Sequence, residues 1–162
     1  MKKKNAALGL LITSLTLAQP LLIKASAAFT TAGFIFSISE STKADSAFLF
    51  YKQGNVKFDS GDINGAISDY TKAIEINPNF SEAYVNRGVA RGNSGDNAGA
   101  ISDYSKTIKI DKSNTLAYFN RGIVKSNLKD YIGAISDYSK AIAIDPNYAA
   151  AYNNRGSIKD DQ

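Results

Sequence analysis

Carboxylates, hydroxyls, amides and amines supply the polar chemistry of this 162-residue chain, which contains no histidine, no cysteine and no tryptophan. Histidine bases, thiolate nucleophiles and the usual zinc ligand sets are thereby excluded. A few short stretches still have spacings that could organise an ion or a reaction. The first, GNSGDNAG at residues 92–99, has the glycines of a phosphate loop. It lacks the lysine and hydroxyl of a P-loop and follows a helical pattern instead of a strand. In SGDINGAISDYT, residues 60–71, Asp62, Asn64 and Gly65 are spaced like part of a calcium loop, but Ser60 and Thr71 stand where the first and closing ligands belong. Ser105 and Lys106 are adjacent on a helical pattern, which aims their side chains apart. Asn79-Phe80-Ser81 is a formal glycosylation sequon. No catalytic residue, metal ligand or cofactor site emerges from these candidates.

What the stretches share is recurrence. GAISDY occurs at Gly65, Gly99 and Gly133, and AYxNRG at Ala83, Ala117 and Ala151, each at an interval of 34 residues. A fixed period of this size marks one supersecondary unit stacked on copies of itself, burying a core that no single copy could bury alone. Within each unit, apolar residues recur at helical spacing in two blocks, in the second unit about Ser81 to Asn93 and Asn97 to Ile110. Glycines and polar residues separate the blocks, and Pro78 and Pro146 stop the second helix of their units. Gly54, Gly88, Gly122 and Gly156, with Ala66, Ala100 and Ala134, leave room for facing helices to approach closely, and Tyr84, Ile101, Tyr104 and Ile108 fill the space around them.

The formal charge of +4 is not spread over the repeats. Lys2, Lys3, Lys4 and Lys24 account for it, and the remainder balances 15 basic against 15 acidic residues. A neutral body lacks the positive field that nucleic acid requires. The lysine cluster, the apolar run from Ala6 to Ile23 and the small residues Ala25 and Ala27 read as a signal peptide over 1–27, cleaved after Ala27. The alternative is an uncleaved anchor, and either version exports the repeats to a periplasm, a lumen or the exterior. Residues 28–46, apolar and then polar, are expected to form a linker or an N-terminal cap; Phe29 to Ile38 is too short to span a bilayer.

The 34-residue helix-turn-helix unit resembles the tetratricopeptide repeat family, in the form of a bacterial exported member. With Ala47, Ser81, Thr115 and Ala149 as first positions, the eighth is Gly54, Gly88, Gly122 and Gly156. The twentieth is Ala66, Ala100 and Ala134, and the twenty-fourth is Tyr70, Tyr104 and Tyr138. The twenty-seventh is Ala73, Thr107 and Ala141, and the thirty-second is Pro78, Lys112 and Pro146, so Thr107 and Lys112 depart from the pattern and imply a looser second junction. The resemblance implies an all-α, right-handed solenoid: full units at 47–80, 81–114 and 115–148, then a partial fourth unit or capping helix at 149–162.

The family pattern prefers apolar residues at the seventh, eleventh and twenty-third positions. This chain has Arg87, Arg121 and Arg155 at the seventh, Lys57, Arg91, Lys125 and Lys159 at the eleventh, and Asp69, Asp103 and Asp137 at the twenty-third. Gln53 replaces the first arginine, and the last arginine has no second helix after it. Pairing each aspartate with the arginine of the following unit leaves none over. That predicts Asp69 with Arg87, Asp103 with Arg121 and Asp137 with Arg155, fixing the stacking register across successive junctions.

In this family the first helices line a concave groove, which implies ligand contacts from Tyr51, Val85, Phe119 and Asn153 at the fifth position. Lys52, Asn86, Asn120 and Asn154 at the sixth join them, as do Asn55, Val89 and Ile123 at the ninth. Asparagine amides both donate to and accept from a peptide backbone, so an extended segment suits this lining. The carboxylate clamp of the family needs cations that Tyr51, Leu116 and Asn120 replace; only Asn55 and Asn86 match it. The reading is therefore a non-catalytic adaptor or scaffold that binds a neutral or mixed peptide, with no small-molecule substrate and no cofactor. Its rival is a self-associating repeat module, a homo-oligomer built through the last helix. Membrane contact is expected only through the N-terminal segment.

Overall fold

The computed structural model describes residues 31–160, so the expected leader at 1–27 lies outside the described residues. The helices are α1 (Thr31–Asp59), α2 (Ile63–Ile76), α3 (Ser81–Asn93), α4 (Asn97–Ile110), α5 (Thr115–Asn127), α6 (Tyr131–Ile144) and α7 (Ala149–Asp160), with no strand among the described residues. From α2 onward each helix begins 34 residues after its counterpart, as the period requires.

The turn inside each unit is set by two residues. Asp62, Asp96 and Asp130 cap α2, α4 and α6: each carboxylate accepts the amide N–H of Gly65, Gly99 or Gly133 at 2.9–3.0 Å. Capping satisfies a donor that the first helical turn leaves unpaired. Before each cap the chain needs a left-handed residue, and Gly61 and Gly95 supply it at φ +86°. The third unit places Lys129 there at φ 63°, a conformation disfavoured for a side-chain-bearing residue. The segments that resemble phosphate and calcium loops are these turns.

Between units the chain turns on Asn77, Asp111 and Asp145, whose side chains accept the amide of the residue two further on at 2.9–3.1 Å. The second junction, expected to be looser, has the same turn. Asp111 also accepts the Ser113 hydroxyl at 2.6 Å, and Asn114 caps α5 through the Ala117 amide. The Ser113 contacts hold the Asp111 carboxyl below its usual range. Thr107 is fully buried, its hydroxyl donating to the Asp103 carbonyl at 3.1 Å. Local hydrogen bonds thus substitute for the missing proline and alanine.

The core runs along the array between first and second helices. Ala66, Ala100 and Ala134 have no exposed surface, and Tyr70, Tyr104 and Tyr138 are almost as deep. Each tyrosine ring lies against the eighth-position glycine of the same unit: a Cβ built on Gly54, Gly88 or Gly122 would come within 2.6–2.7 Å of ring carbons. At Gly156 a Cβ would meet nothing within 4 Å among the described residues. First helices also touch one another in the order α1, α3, α5, α7, the layer that forms the inner surface.

Residues 31–46, where a linker or an N-terminal cap is expected, are helical. They continue α1 upstream of the first unit, and every side chain from Thr42 to Ser46 is exposed. No proline interrupts the chain between Thr31 and Asp59, so the helical path has no reason to end at the unit boundary. No helix among the described residues is long and apolar enough to cross a membrane.

Candidate peptide-binding groove

The sixth, ninth and thirteenth positions of a first helix are spaced by three and four residues and so share one face. Stacked first helices bring these faces together, and a tyrosine from each second helix closes the floor between neighbours. Three clefts in series result. Asn55, Phe58, Asp59, Tyr70, Asn86 and Val89 line the first. In the second, Val89, Asn93, Tyr104, Asn120, Ile123 and Asn127 are prominent, and in the third Ile123, Ser126, Asn127, Tyr138, Asn154 and Ile158. Their volumes, about 270, 220 and 290 Å³, fall below the usual range for a small-molecule site and match single side chains.

The clefts differ in how their amides are used. In the first, Asn55 Oδ1 accepts the Tyr70 hydroxyl at 2.8 Å and Asn86 Nδ2 at 2.9 Å, and Asn86 Nδ2 also donates to Tyr51 Oη at 3.2 Å. That cluster is wired to itself. Burial, with the nearby Tyr51 phenol, pushes Tyr70 up to about 12. In the third, Asn154 sits beside the Tyr138 hydroxyl, whose titration burial raises. In the second, Tyr104 is raised by burial and by the neighbouring Asp103 carboxylate. Asn93, Asn120 and Asn127 make no side-chain hydrogen bond among the described residues, so their amide donors and acceptors face the cleft unused. Asp59 is the only charged side chain among the residues lining these clefts.

The structure gathers only part of the expected lining. Asn55, Asn86, Val89, Asn120, Ile123 and Asn154 lie in the clefts. The fifth-position residues do not face a ligand in the same way. Val85 is 8% exposed, packed with Ala100, Tyr104, Ala117 and Val124. Tyr51 packs against Tyr70 and Phe80, and Phe119 against Tyr138 and Tyr148, with ring centroids 4.9–6.0 Å apart. That position points at the second helix and the junction turn in the complete units, and Asn153 is exposed there. Lys52 lies apart from these clefts, in a shallow depression with Gln53, Val56 and Lys57. Asp59, Asn93 and Asn127 line the clefts too; they stand at the thirteenth position, which the resemblance counts among the groove contacts, although these residues were not named from the sequence.

The ion pairs are corrected as well. Asp69–Arg87, Asp103–Arg121 and Asp137–Arg155 do not form; each pairing lies within a unit. Arg87 grips Asp103 through Nε and Nη2 at 2.9 and 2.7 Å, and Arg121 grips Asp137 at the same distances. Arg91 and Lys125 add a second cation to these carboxylates at 2.9 and 2.8 Å. Burial alone would raise the Asp69 carboxyl, but Lys57 and Lys72, at 2.6 and 3.1 Å, hold it below its usual range. The arginines do cross the junctions, through their remaining nitrogen. Nη1 of Arg87, Arg121 and Arg155 donates to Thr71 Oγ1, Ser105 Oγ and Ser139 Oγ of the preceding unit at 2.9–3.1 Å. The pairing by elimination failed because two lysines satisfy Asp69, while no carboxylate among the described side chains reaches Arg155.

Comparison with known proteins agrees with the helical-repeat fold. The chain matches the family described as a TPR repeat over residues 54–95, and the tetratricopeptide repeat over 81–114 and again over 115–148. Among solved structures, the first TPR of Spaghetti (RPAP3) bound to the HSP90 peptide SRMEEVD is 28% identical. It superposes at a TM-score of 0.70 over 72% of this chain and 93% of that one. The first TPR domain of human RPAP3 gives 28% identity, a TM-score of 0.69, and coverage of 72% and 92%. The Arabidopsis OM64 TPR domain is 26% identical at a TM-score of 0.72, over 74% of this chain and 99% of that one. No curated protein matches the chain.

Proposed function

The chain belongs to the tetratricopeptide repeat family, and on that premise we propose that it is an adaptor that holds an extended, largely uncharged peptide along its inner surface. Its similarity to TPR domains with a bound peptide supports a protein-interaction role. The observation that supports the finer reading is the set of unused carboxamides, Asn93, Asn120 and Asn127, around a cleft of side-chain size. Each amide offers donors and an acceptor to a passing backbone, while Val89 and Ile123 offer apolar contact between them. The first cleft contributes less, because Asn55 and Asn86 already satisfy each other.

An acidic chaperone tail of the kind bound by the RPAP3 relative does not suit this lining. No lysine or arginine borders the three clefts, and Leu116, 52% exposed, stands where a clamp would place a cation. A neutral ligand avoids leaving a charge desolvated without a partner. The same proposal carries the array out of the cytoplasm on the leader at 1–27. Sequencing of a mature N-terminus at Ala28 in an exported fraction supports that part, and an intact Met1 end in the cytosol contradicts it.

The test is affinity capture from an extract of the source cell, comparing the parent chain with an Asn120→Ala/Asn127→Ala variant whose helicity is verified. A partner retained by the parent and lost by the variant supports the groove. The same set captured by both contradicts it.

A further inference from the structure

The three clefts repeat one frame with different residues, and the first departs from the others at two adjacent positions. The twelfth and thirteenth residues of the first helix are Gly92 and Asn93 in the second cleft and Ser126 and Asn127 in the third. In the first cleft they are Phe58 and Asp59. Asparagine and aspartate have nearly the same shape, so the change at the thirteenth position is one of charge. The change at the twelfth adds an aromatic ring, which packs against the cluster of Ala66, Tyr70 and Ala90 and borders the cleft.

Folding does not account for that charge. Asp59 is the last residue of α1, where the partial negative charge of a helix C-terminus disfavours a carboxylate. Ion pairs engage Asp69, Asp96, Asp103 and Asp137, and none among the described residues includes Asp59. Lys57, two residues away, is committed to Asp69 at 2.6 Å. The donors lining the same cleft are largely spent. Asn86 Nδ2 donates to Tyr51 and to Asn55, and the Tyr70 hydroxyl donates to Asn55. Burial, and after it the Tyr51 phenol and the Asp59 carboxylate, push that hydroxyl up to about 12, so it keeps its proton and its bond. Asn55 Nδ2 is the amide donor that remains, against two unused acceptors, Asn86 Oδ1 and the Asp59 carboxylate.

We propose that the first cleft is a cation subsite, which takes a lysine or arginine side chain of the peptide held along the groove. The inference rests on the groove reading above and names what its ligand carries. An ammonium or guanidinium brings donors and no acceptor, which suits the acceptors left by Asn86 and Asp59. The Phe58 ring attracts a cation over its face and packs against the aliphatic stem. An acidic side chain in this cleft would face Asp59 as a like charge, and a neutral one would cover that charge without pairing it. The second and third clefts, lined by carboxamides, hydroxyls and apolar groups, select no charge. A single basic residue in an otherwise uncharged segment therefore fixes the direction and register in which the segment lies.

The probe is an unbiased library of linear peptides displayed on phage and selected on the full chain, with the selected sequences resynthesised, labelled and titrated by fluorescence anisotropy. Peptides held in the groove are those weakened on an Asn120→Ala/Asn127→Ala chain. Among them, a lysine or arginine at a constant distance from the other selected residues is expected. Replacing it with glutamine weakens binding to the parent by roughly fivefold, the upper end for a solvated ion pair, and by more at low ionic strength. On an Asp59→Asn chain the same replacement costs little, because the charge it met is gone. That variant carries at 59 the amide already present at 93 and 127, so the helix end is retained. Groove-held peptides without a basic residue, or a basic residue whose replacement costs the same on both chains, overturn the cation subsite and leave the groove reading standing. Peptides that bind the Asn120→Ala/Asn127→Ala chain undiminished, or no selected peptide at all, overturn the groove reading and the subsite with it.

Discussion

Gly122 and Gly156 occupy the same position of successive first helices, yet one lies under a tyrosine and the other faces open space. Alanine at either site gains the ordinary helix-interior advantage over glycine, about 0.5–1 kcal/mol. At Gly122 the new Cβ would sit 2.7 Å from Tyr138 Cε1 and 2.9 Å from Cδ1. That ring is 1% exposed and braced by Phe119, so it has little room to move. Overpacking a filled core costs about 1–3 kcal/mol. Because the propensity gain is common to both variants, the difference between them is the overpacking cost alone. At roughly 4 °C per kcal/mol for an array of this size, Gly122→Ala should melt about 4–12 °C below Gly156→Ala. Thermal unfolding followed by far-UV circular dichroism reads both. Equal stabilisation by the two substitutions would refute the close packing of tyrosine on glycine.

Lys129→Gly relieves the one left-handed non-glycine residue among those described and should raise stability by about 0.5–1 kcal/mol, read as a shift in the urea midpoint; an unchanged or lower midpoint contradicts the turn assignment. Asp103→Ala leaves two buried guanidinium contacts without their carboxylate and should cost about 3–5 kcal/mol, whereas Ser105→Ala removes one junction hydrogen bond and should cost about 1 kcal/mol. Reversal of that order in urea denaturation would move the stabilising contact from within the unit to the junction. Burial raises Tyr70, Tyr104 and Tyr138, Tyr70 to about 12, above the unfolded value near 10. Between those values the unfolded chain has already released protons that the folded chain retains, so stability is full below about pH 10 and falls as pH rises through this window. Tyrosinate absorbance for these three should therefore appear together with loss of helicity; ionisation near pH 10 in a still folded array would show that the rings are not buried.

The helices were legible because the two signals behind them are local. Apolar spacing and turn residues place Ser81–Asn93 and Asn97–Ile110, and a fixed period carries those bounds along the chain. Partner choice is a three-dimensional property and was not legible. Arg87 is sixteen residues from both Asp103 and Thr71, and only the crossing of α3 with its neighbours decides that the carboxylate comes from the following helix and the hydroxyl from the preceding one. Groove membership failed at Val85 for a related reason, since position on a helix gives a direction but not whether another helix already fills it. Nor does the sequence distinguish Asn86, whose amide is consumed by Asn55 and Tyr51, from Asn120, whose amide is unused. That α1 runs on upstream of the first unit was not legible, because Ser and Thr composition suggests a linker although nothing in it breaks a helix.

The central claim is that ligand lies on the inner surface, over the second cleft. A photo-activated benzoylphenylalanine installed at Asn127, beside that cleft, is compared with the same group at Lys109 on the exposed face of α4. After irradiation in an extract of the source cell, the account predicts a discrete crosslinked protein from Asn127 and none from Lys109. Crosslinks from Lys109 with none from Asn127 would place recognition on the outer face and contradict it.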